Sequence, residues 1–479
     1  MRKPLPGKIS YRFSVLVSAA LLTTTVQAQQ AAPVPAAGEV QPAVAILADA
    51  SQTYALYLPS KYSPQKRWPL LLAFDPSGEG LYPVKLFQPA AEKYGYIVIG
   101  SNNTRNFVDP STAIRLLFHD VTTRYAIDPR RIYTTGFSGG SRVAAGVAIA
   151  CKNCIAGVIS CGAGLPTGSN VPPPETADWF LAAGTIDFNY SEITHLDDAL
   201  TARHAATHLA YFPGPHHWMS PAVAEEALAW MQLRAMVKGI TPLDRDFVES
   251  EFAREVNAAK SLQQSGDALT AFRRYREIIN DFHFLRDVKE LQAEQSLLAS
   301  SNQLKRARKN EQALFDLETK TVTSINDITN AVINKQQAPG VLYQSLESLM
   351  SDIRRDRDTA HDQAHKNAIL RAMAGAFAYA RETGSDDLLK KDYLQARDLF
   401  RITAILRPEA AWPHYLTAQA LAELGDNKTA LDELNKAVAL GLNNPELLDS
   451  PEFEKLRTNL AFKDIQTRIA KNAPPQTEN

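Results

Sequence analysis

Residues 136–140 read Gly-Phe-Ser-Gly-Gly, and they directly follow the run Ile-Tyr-Thr-Thr at residues 132–135. The β-branched and aromatic run predicts a buried strand, and the small residues predict a tight turn that opens into a helix over residues 141–150. A turn of this kind holds one serine hydroxyl, here that of Ser138, above the end of a sheet. Small residues recur by chance, so the motif gains meaning only if the chain also supplies matching strands, an acid and a histidine.

The sequence around this turn alternates between predicted strands and predicted helices. Residues 54–58 are predicted to form a half-buried strand, whereas residues 70–74 and 96–99 are continuous apolar runs, typical of strands covered on both faces. Further short apolar segments follow the turn, at residues 155–160, 179–183 and 209–212. Helical segments separate these runs, so we predict an α/β domain over residues 43–240, with a mainly parallel sheet and helices on both faces.

An acid and two histidines follow the later strands. Asp187 comes directly after a Gly-turn that ends one apolar segment, and His216 and His217 lie in the Pro-Gly-rich loop that ends the next. The chain order serine, acid, histidine is the one found in an α/β-hydrolase, where the acid and histidine loops leave later strands of the same sheet. Three independent placements agree, and together they predict a Ser-Asp-His triad that contains Ser138.

The chemistry assigns a role to each of these groups. Ser138 attacks a carbonyl carbon once a base removes the proton of its hydroxyl. The histidine is that base, and it later protonates the leaving group. Asp187 fixes the tautomer of the histidine and stabilises the imidazolium without taking the proton itself.

The oxyanion that forms during this attack needs two hydrogen-bond donors. We predict that one is the backbone N–H of Gly139, directly after the nucleophile. The other is expected in the loop after the strand that ends at Phe74. Pro76 has no N–H, so Ser77 is favoured in that loop, with Gly78 as the alternative.

Other titratable residues leave alternatives open. Asp197 or Asp198 could replace Asp187, and His217 could replace the preceding histidine. A pair of histidines one helical turn apart, His361 and His365, lies in a strongly charged stretch and is interpreted as a solvated helix face. We therefore predict no metal and no cofactor.

The chain resembles the secreted esterases of the polyhydroxyalkanoate depolymerase and feruloyl esterase type. The resemblance covers about residues 50–238, and the segments that carry it are residues 66–71, 136–140, 184–187 and 216–218. It implies an α/β-hydrolase fold, and it selects His216, because the catalytic histidine of that group stands two residues before a tryptophan. The chain departs from the group at Asp75-Pro76, where such esterases more often carry His-Gly, and this departure concerns the oxyanion loop.

The chain from residue 241 to residue 471 is helical in pattern. Residues 411–445 show the small-residue and aromatic spacing of a tetratricopeptide (TPR) helix pair most clearly, and residues 251–284 show it fairly well. Residues 367–408 fit with a longer turn at residues 384–387, whereas residues 286–366 do not fit the repeat. Such helical arrays usually offer a surface to a peptide or protein segment, so a partner of that kind is expected here.

The N-terminus has the pattern of an export signal. Basic residues precede a short apolar run at residues 13–22, and we predict cleavage after Ala28, so that residues 1–28 form a signal peptide. Residues 29–42 are rich in Ala, Pro and Gln and are predicted to be a disordered linker, and residues 472–479 a disordered tail. The protein is therefore expected to be exported, to a periplasmic or extracellular location, with no transmembrane segment after cleavage.

Export makes disulfides possible. The three cysteines, Cys151, Cys154 and Cys161, lie close together in the sequence, and we expect one local disulfide and one buried thiol, with the pairing left open. The formal net charge of −1 gives no reason to expect a nucleic-acid partner.

The sequence thus predicts an exported serine hydrolase that cleaves a small-molecule or polymeric carboxylic ester through an acyl-serine intermediate. The absence of a large insertion between the predicted strands favours a site open to solvent. One alternative is a TPR-based binding protein with an inactive or regulatory hydrolase-like domain. A second is a serine peptidase with the same triad.

Overall fold

The computed structural model describes residues 35–472 apart from residues 152 and 170, so the predicted signal peptide lies outside the described residues. The chain divides into two compact units, Met1–Glu311 and Gln312–Asn479. Within the described residues, no helix combines the length and the apolar character needed to cross a membrane.

Eight strands of the described chain form one sheet in the first unit. In chain order they are β1 (Val40–Ile46), β2 (Asp49–Tyr57), β3 (Trp68–Phe74), β4 (Ile97–Ser101), β5 (Ile127–Phe137), β6 (Gly157–Cys161), β7 (Asp178–Gly184) and β8 (Thr207–Phe212). Their order across the sheet is β1-β2-β4-β3-β5-β6-β7-β8. β2 runs antiparallel to β1 and β4, and the other neighbouring pairs, from β4 and β3 to β7 and β8, are parallel.

Helices cover both faces of this sheet. They are α1 (Leu81–Tyr94), α2 (Ser111–Arg124), α3 (Gly139–Ala150), α4 (Tyr190–Ala202) and α5 (Pro221–Val237). Leu70 and Leu72 of β3 belong to the core that contains α2, α3 and α4, whereas Leu71 belongs to the core that contains α1 and α5. Apolar side chains on both sides of one strand explain its unbroken apolar sequence, and the predicted mainly parallel, two-sided sheet is confirmed.

The first unit extends beyond the predicted domain boundary at residue 240. It continues through α6 (Arg245–Gln264), α7 (Ala268–Phe282) and α8 (Lys289–Ser300), and the division falls inside α9 (Asn302–Ile333). α7 contacts α5, α4 and β8. Trp230 Nε1 of α5 donates to Asp281 at 2.7 Å, Arg276 contacts Asp197 of α4 at 2.8 Å, and the N–H of Leu209 in β8 donates to Glu277 at 3.2 Å. The sequence changes to a helical pattern near residue 240. The buried polar contacts of α7 nevertheless place it in the same compact unit as the sheet.

The second unit is all helical in the described residues. Its elements are α10 (Pro339–Thr359), α11 (Gln363–Leu389), α12 (Tyr393–Leu406), α13 (Ala411–Glu423), α14 (Asn427–Ala439), two short 3₁₀ turns at Pro445–Asp449 and Pro451–Leu456, and α15 (Leu460–Asn472). α13 and α14 form the expected helix pair around Gly425, whose φ is 80°. The buried alanines Ala418 and Ala430 belong to the core of this pair. That the pair is a TPR motif stays a prediction.

Three local predictions differ from the structure. β1 begins at Val40, so residues 40–42 are ordered although residues 29–42 are predicted to be a disordered linker; pairing with β2 orders them. The turn expected at residues 384–387 is absent from the described chain, because α11 continues to Leu389 with Gly384 packed against Phe400. Asn472 is the last residue of α15 rather than the start of a tail, and residues 473–479 lie outside the described residues.

Candidate active site

The turn between β5 and α3 places Ser138 at the carboxyl end of the sheet. Ser138 has φ 53° and ψ −123°, a conformation that is costly for a residue with a side chain and that is typical of functional sites. The turn is tight because glycines flank it. A Cβ on Gly136 would lie 2.2 Å from the backbone of Gly140, and a Cβ on Gly140 would lie 2.0 Å from the carbonyl oxygen of Phe74. Only glycine fits at these two positions, which explains the spacing of the motif.

The structure brings the three predicted triad residues together. His216 Nε2 lies 2.8 Å from Ser138 Oγ, and His216 Nδ1 lies 2.8 Å from Asp187 Oδ1. Asp187 is fully buried in the loop after β7, and its Oδ1 also accepts the backbone N–H of Asn189 at 2.8 Å. His216 lies in the loop after β8. The three side chains therefore form a continuous hydrogen-bonded chain from a hydroxyl to a buried carboxylate.

The alternative residues lie elsewhere. His217 Nδ1 pairs with the carbonyl oxygen of Trp218, and its ring packs on Phe212. Asp197 pairs with Arg276 at 2.8 Å, and Asp198 lies 3.8 Å from Arg273. None of the three lies in the hydrogen-bonded chain of Ser138, so the structure favours Asp187 and His216 as the partners.

Aromatic rings and a glycine enclose the imidazole of His216. The centroids of Phe137 and Phe188 lie 4.5 Å and 4.1 Å from that of His216. Gly162, at the end of β6, has φ 62°, and a Cβ there would lie 2.9 Å from Asp187 Oδ2 and 3.2 Å from His216 Cε1. These contacts restrict the imidazole to the orientation in which it bonds both Ser138 and Asp187.

The predicted oxyanion donors fare differently. Gly139 is the first residue of α3, and the first N–H groups of a helix have no acceptor within it. The N–H of Ser77 instead donates to Asp75 Oδ1 at 2.8 Å, and that of Gly78 donates to the carbonyl oxygen of Asp75 at 3.1 Å. Asp75 thus engages the amides of both Ser77 and Gly78 in a turn. The assignment of Ser77 as the second donor therefore gains no support from these contacts and stays a prediction.

Asp75 has a further partner that the sequence did not reveal. The indole N–H of Trp218 donates to Asp75 Oδ2 at 2.8 Å, and both residues are buried. This bond joins the loop after β3 to the loop that carries His216. The two residues are 143 positions apart, and no local sequence signal marks them as a pair.

A second residue missed by the sequence is Asn106, in the loop after β4. Its carboxamide packs on the Cα of Gly139, since a Cβ added there would lie 1.9 Å from Asn106 Oδ1. Asn106 also donates its backbone N–H to the carbonyl oxygen of Pro76 at 2.8 Å. The glycine after the nucleophile therefore makes room for an asparagine from another loop.

Away from Ser138, one group of metal-ligand-type side chains occurs among the described residues. It contains His208, Glu226 and Glu255, whose ligand atoms lie within 4.8 Å of one another. Arg274 Nη1 lies 3.1 Å from Glu255 and 3.5 Å from Glu226, and Arg254 Nη2 lies 2.7 Å from Glu255, so guanidinium groups already pair with both carboxylates. Burial opposes the charge of Glu226, but the hydrogen bond with His208 and the nearby cations lower its pKa to about 2. The arrangement is a buried ion-pair network.

The expected disulfide is present. Cys151 and Cys154 are bonded, and Cys161 is a buried free thiol at the end of β6. The backbone carbonyl of Cys161 accepts the N–H of Ser138 at 2.9 Å, so this strand end helps to hold the turn.

Comparison with known proteins gives matches among solved structures alone: no family model and no curated protein matches the chain. A fluorophosphonate-binding serine hydrolase of Staphylococcus aureus is 14% identical, covering 38% of this chain and 92% of its own, with a TM-score of 0.32. An esterase of Pyrobaculum calidifontis is 12% identical, covering 42% and 87%, with a TM-score of 0.34. A Bacillus cereus carboxylesterase is 16% identical, covering 39% and 95%, with a TM-score of 0.32.

At these identities and TM-scores the likeness alone identifies neither fold nor activity. The fold is identified by the chain's own geometry: a mainly parallel sheet, a strained serine at the turn from β5 to α3, and an acid and a histidine after β7 and β8. The sheet and its covering helices form an α/β-hydrolase fold. The rest of the described chain is helical.

Proposed function

We propose that the protein is a serine hydrolase that cleaves carboxylic esters through an acyl-serine intermediate. The observation that carries the proposal is the pair of 2.8 Å contacts that link Ser138 Oγ to His216 and His216 to Asp187. A serine hydroxyl is a weak nucleophile until a correctly oriented base shares its proton. The distances support a working arrangement over the alternative of an inactive hydrolase-like domain.

In the first step Ser138 Oγ forms a bond to the ester carbonyl carbon as its proton passes to His216 Nε2. The carbonyl π electrons move onto oxygen, and the resulting oxyanion is held by the N–H of Gly139. When the oxyanion reforms the carbonyl, the bond to the alkoxy oxygen breaks. His216 gives its proton to that oxygen, and the alcohol leaves an acyl-serine behind.

Water completes the cycle by the same route. His216 takes a proton from the water as its oxygen attacks the acyl carbon, and a second oxyanion forms. Collapse of this intermediate breaks the bond to Ser138 Oγ, which recovers its proton from His216, and a carboxylic acid is released. Asp187 remains ionised throughout and stabilises the imidazolium that forms twice in each cycle.

The site supports an accessible ester, small or polymeric, as the substrate. Ser138 and His216 are half-buried rather than buried, so a substrate reaches them without removal of a covering element. An ester is favoured over an amide because its alkoxide leaves more readily. The peptidase alternative is separated from the esterase by assay of an ester and an amide that share one acyl group.

We also propose that the protein is exported. The N-terminal sequence pattern supports this, and so does the disulfide between Cys151 and Cys154, because disulfides persist mainly in oxidising compartments. Full-length protein expressed in a bacterial host should be recovered outside the cytoplasm, with a new N-terminus at residue 29. Recovery of an uncleaved chain in the cytoplasm would contradict export and leave the proposed chemistry untouched.

The proposed activity is tested with p-nitrophenyl acetate and butyrate on the purified mature protein. The wild type should turn over at least one of them, and Ser138→Ala should lose that activity while keeping its unfolding temperature. Ser296→Ala is a matched control, because Ser296 is an exposed serine on α8, and its activity should equal that of the wild type. Equal hydrolysis by Ser138→Ala and the wild type would refute the proposal.

A further inference from the structure

The loop after β3 leaves the oxyanion with only one identified donor. The amides of Ser77 and Gly78, which would ordinarily be available there, are both used by Asp75. Pro76 has no N–H to offer. A hydrolase of this kind ordinarily places two preorganised donors around the oxyanion, so a second donor is expected from another element.

Asn106 is the side chain that lies in the right place. Its carboxamide packs on the Cα of Gly139, whose N–H is the first donor. From the position of a Cβ on that glycine, Asn106 Oδ1 lies at 1.9 Å and Nδ2 at 3.3 Å. Asn106 is half-buried, so solvent and a bound substrate can still reach this residue.

The backbone holds Asn106 firmly at this point. Its N–H donates to the carbonyl oxygen of Pro76 at 2.8 Å, which ties the loop after β4 to the loop after β3. The next residue, Phe107, has φ 65°, a left-handed conformation that turns the chain sharply away. Gly78 completes the contact between the loops, because a Cβ there would lie 3.2 Å from the carbonyl oxygen of Asn102.

The carboxamide itself is uncommitted. In the described part of the chain no hydrogen bond engages the side chain of Asn106, so both of its N–H donors are available. A rotation about the Cβ–Cγ bond exchanges Oδ1 and Nδ2 and breaks no hydrogen bond of the described chain. An amide that is positioned by its backbone and has free donors is suited to receive a charge that develops beside it.

We propose that Asn106 is a catalytic residue that supplies the second oxyanion donor, through Nδ2, alongside the N–H of Gly139. This inference rests on the proposed hydrolase function. An asparagine side chain can serve as such a donor, and the loss of one donor lowers kcat by about 10²–10³. This role explains why residue 139 is a glycine: any side chain there would displace the Asn106 carboxamide.

The test compares Asn106→Ala and Asn106→Asp with the exposed neighbour control Arg105→Ala, using the p-nitrophenyl ester that the wild type hydrolyses. Both Asn106 variants should lower kcat by about 10²–10³ with KM changed less than about threefold. The inhibition constant of a boronic acid, which forms a tetrahedral adduct on Ser138, should rise in parallel with the loss of kcat. A merely structural role would leave the boronic acid affinity of Asn106→Ala close to wild type, because the tetrahedral adduct would lose no donor.

A double-mutant cycle adds a second readout. Gly139→Ala should lower kcat strongly in the wild-type background, because the new methyl group displaces the Asn106 carboxamide. In the Asn106→Ala background the same change should cost much less, since the donor is already gone. Additive losses, or kcat within threefold of wild type for Asn106→Ala, would overturn the inference while the hydrolase function stands. A folded wild type that hydrolyses no ester and reacts with no fluorophosphonate would remove the proposed function, and this inference with it.

Discussion

The indole N–H of Trp218 donates to the carboxylate of Asp75 at 2.8 Å in the buried interior beside the triad. Asp75 uses its other carboxylate oxygen to accept the N–H of Ser77 at 2.8 Å. One side chain thus fixes the loop after β3 and anchors the loop that carries His216. The position where the resembling esterases more often have histidine is a structural link between two loops in this protein.

Asp75→Ala should therefore impair both stability and catalysis. The change leaves a buried indole N–H without its acceptor, and a hydrogen bond to a charged group contributes about 1.5–3 kcal/mol. We expect a loss of that size in the free energy of unfolding, measured with urea, and at least a tenfold loss of kcat as His216 loses its support. Asp49→Ala is the control, because Asp49, at the start of β2, accepts the N–H of Ser51 in a similar but exposed contact. The free energy of unfolding of Asp49→Ala should fall by less than about 1 kcal/mol. Equal losses of stability in the two variants would contradict the role given to the bond between Trp218 and Asp75.

Asp187→Asn should preserve the geometry and abolish most of the rate. The amide can still lie beside His216 Nδ1, but its NH₂ group favours the wrong tautomer of the imidazole. In a triad of this type the same change lowers kcat by about 10⁴. Asp198→Asn is the control, because Asp198 lies near Arg273 and away from Ser138. Steady-state ester hydrolysis measures the effect, and a loss below tenfold for Asp187→Asn would show that another acid supports His216.

Gly162→Ala separates a steric effect on the triad from the cost of the backbone conformation. Gly162 and Gly239 have φ values of 62° and 64°, but a Cβ on Gly162 would meet Asp187 and His216, whereas one on Gly239 would meet nothing within 4 Å. Both variants should lose about 1–2 kcal/mol of stability from the left-handed backbone. Only Gly162→Ala should lower kcat, by tenfold or more. An unchanged kcat in Gly162→Ala would mean that residue 162 is not in tight contact with Asp187 and His216 in solution.

The buried network around Arg274 should make stability depend on pH. Burial raises the pKa of Glu277 from 4.5 to about 7, against the opposing charges of Arg274 and His208. Between these two pH values the native state binds more protons than the unfolded chain at this group. Its contribution to the free energy of unfolding therefore falls as pH rises from about 5 to about 7, by at most about 1.4 kcal/mol per pH unit.

Glu277→Gln should remove this component and flatten the fall in stability across that pH range. Glutamine keeps a carbonyl oxygen that can accept the N–H of Leu209, which donates to Glu277 at 3.2 Å in the native protein. Urea unfolding at several pH values measures the slope. Glu225→Gln, an exposed partner of Lys93, is the control and should leave the slope unchanged. An unchanged slope in Glu277→Gln would show that this carboxyl does not titrate there.

The sequence predicted the sheet and the triad because both depend on short-range patterns. Continuous apolar runs mark strands buried on both faces, and residues that end parallel strands meet at one edge of the sheet. For that reason Asp187 and His216 could be placed near Ser138 before any distance was known. The tryptophan two residues after His216 was useful only as part of a resemblance, and its bond to Asp75 shows what it does in this chain.

The oxyanion loop could not be predicted in the same way. The choice of Ser77 rested on which residues carry an N–H, and that reasoning does not reveal that the Asp75 side chain folds back and accepts the N–H of Ser77. Asn106 contacts Gly139 only because two loops pack together, and a pattern of apolar residues along the sequence does not predict how loops pack. For a related reason the sequence does not reveal that the first compact unit runs past residue 240: Arg276 and Asp281 bond α7 to helices that cover the sheet, across a change in sequence pattern.

The most direct measurement is the site of reaction with a fluorophosphonate, read by mass spectrometry of the intact protein and of its peptides. The wild type should gain one adduct, located on the peptide that contains Ser138. Ser138→Ala should gain none, and Ser296→Ala should react as the wild type does. A folded wild type that gains no adduct, or an adduct that persists in Ser138→Ala, would contradict the assignment of Ser138 as the nucleophile.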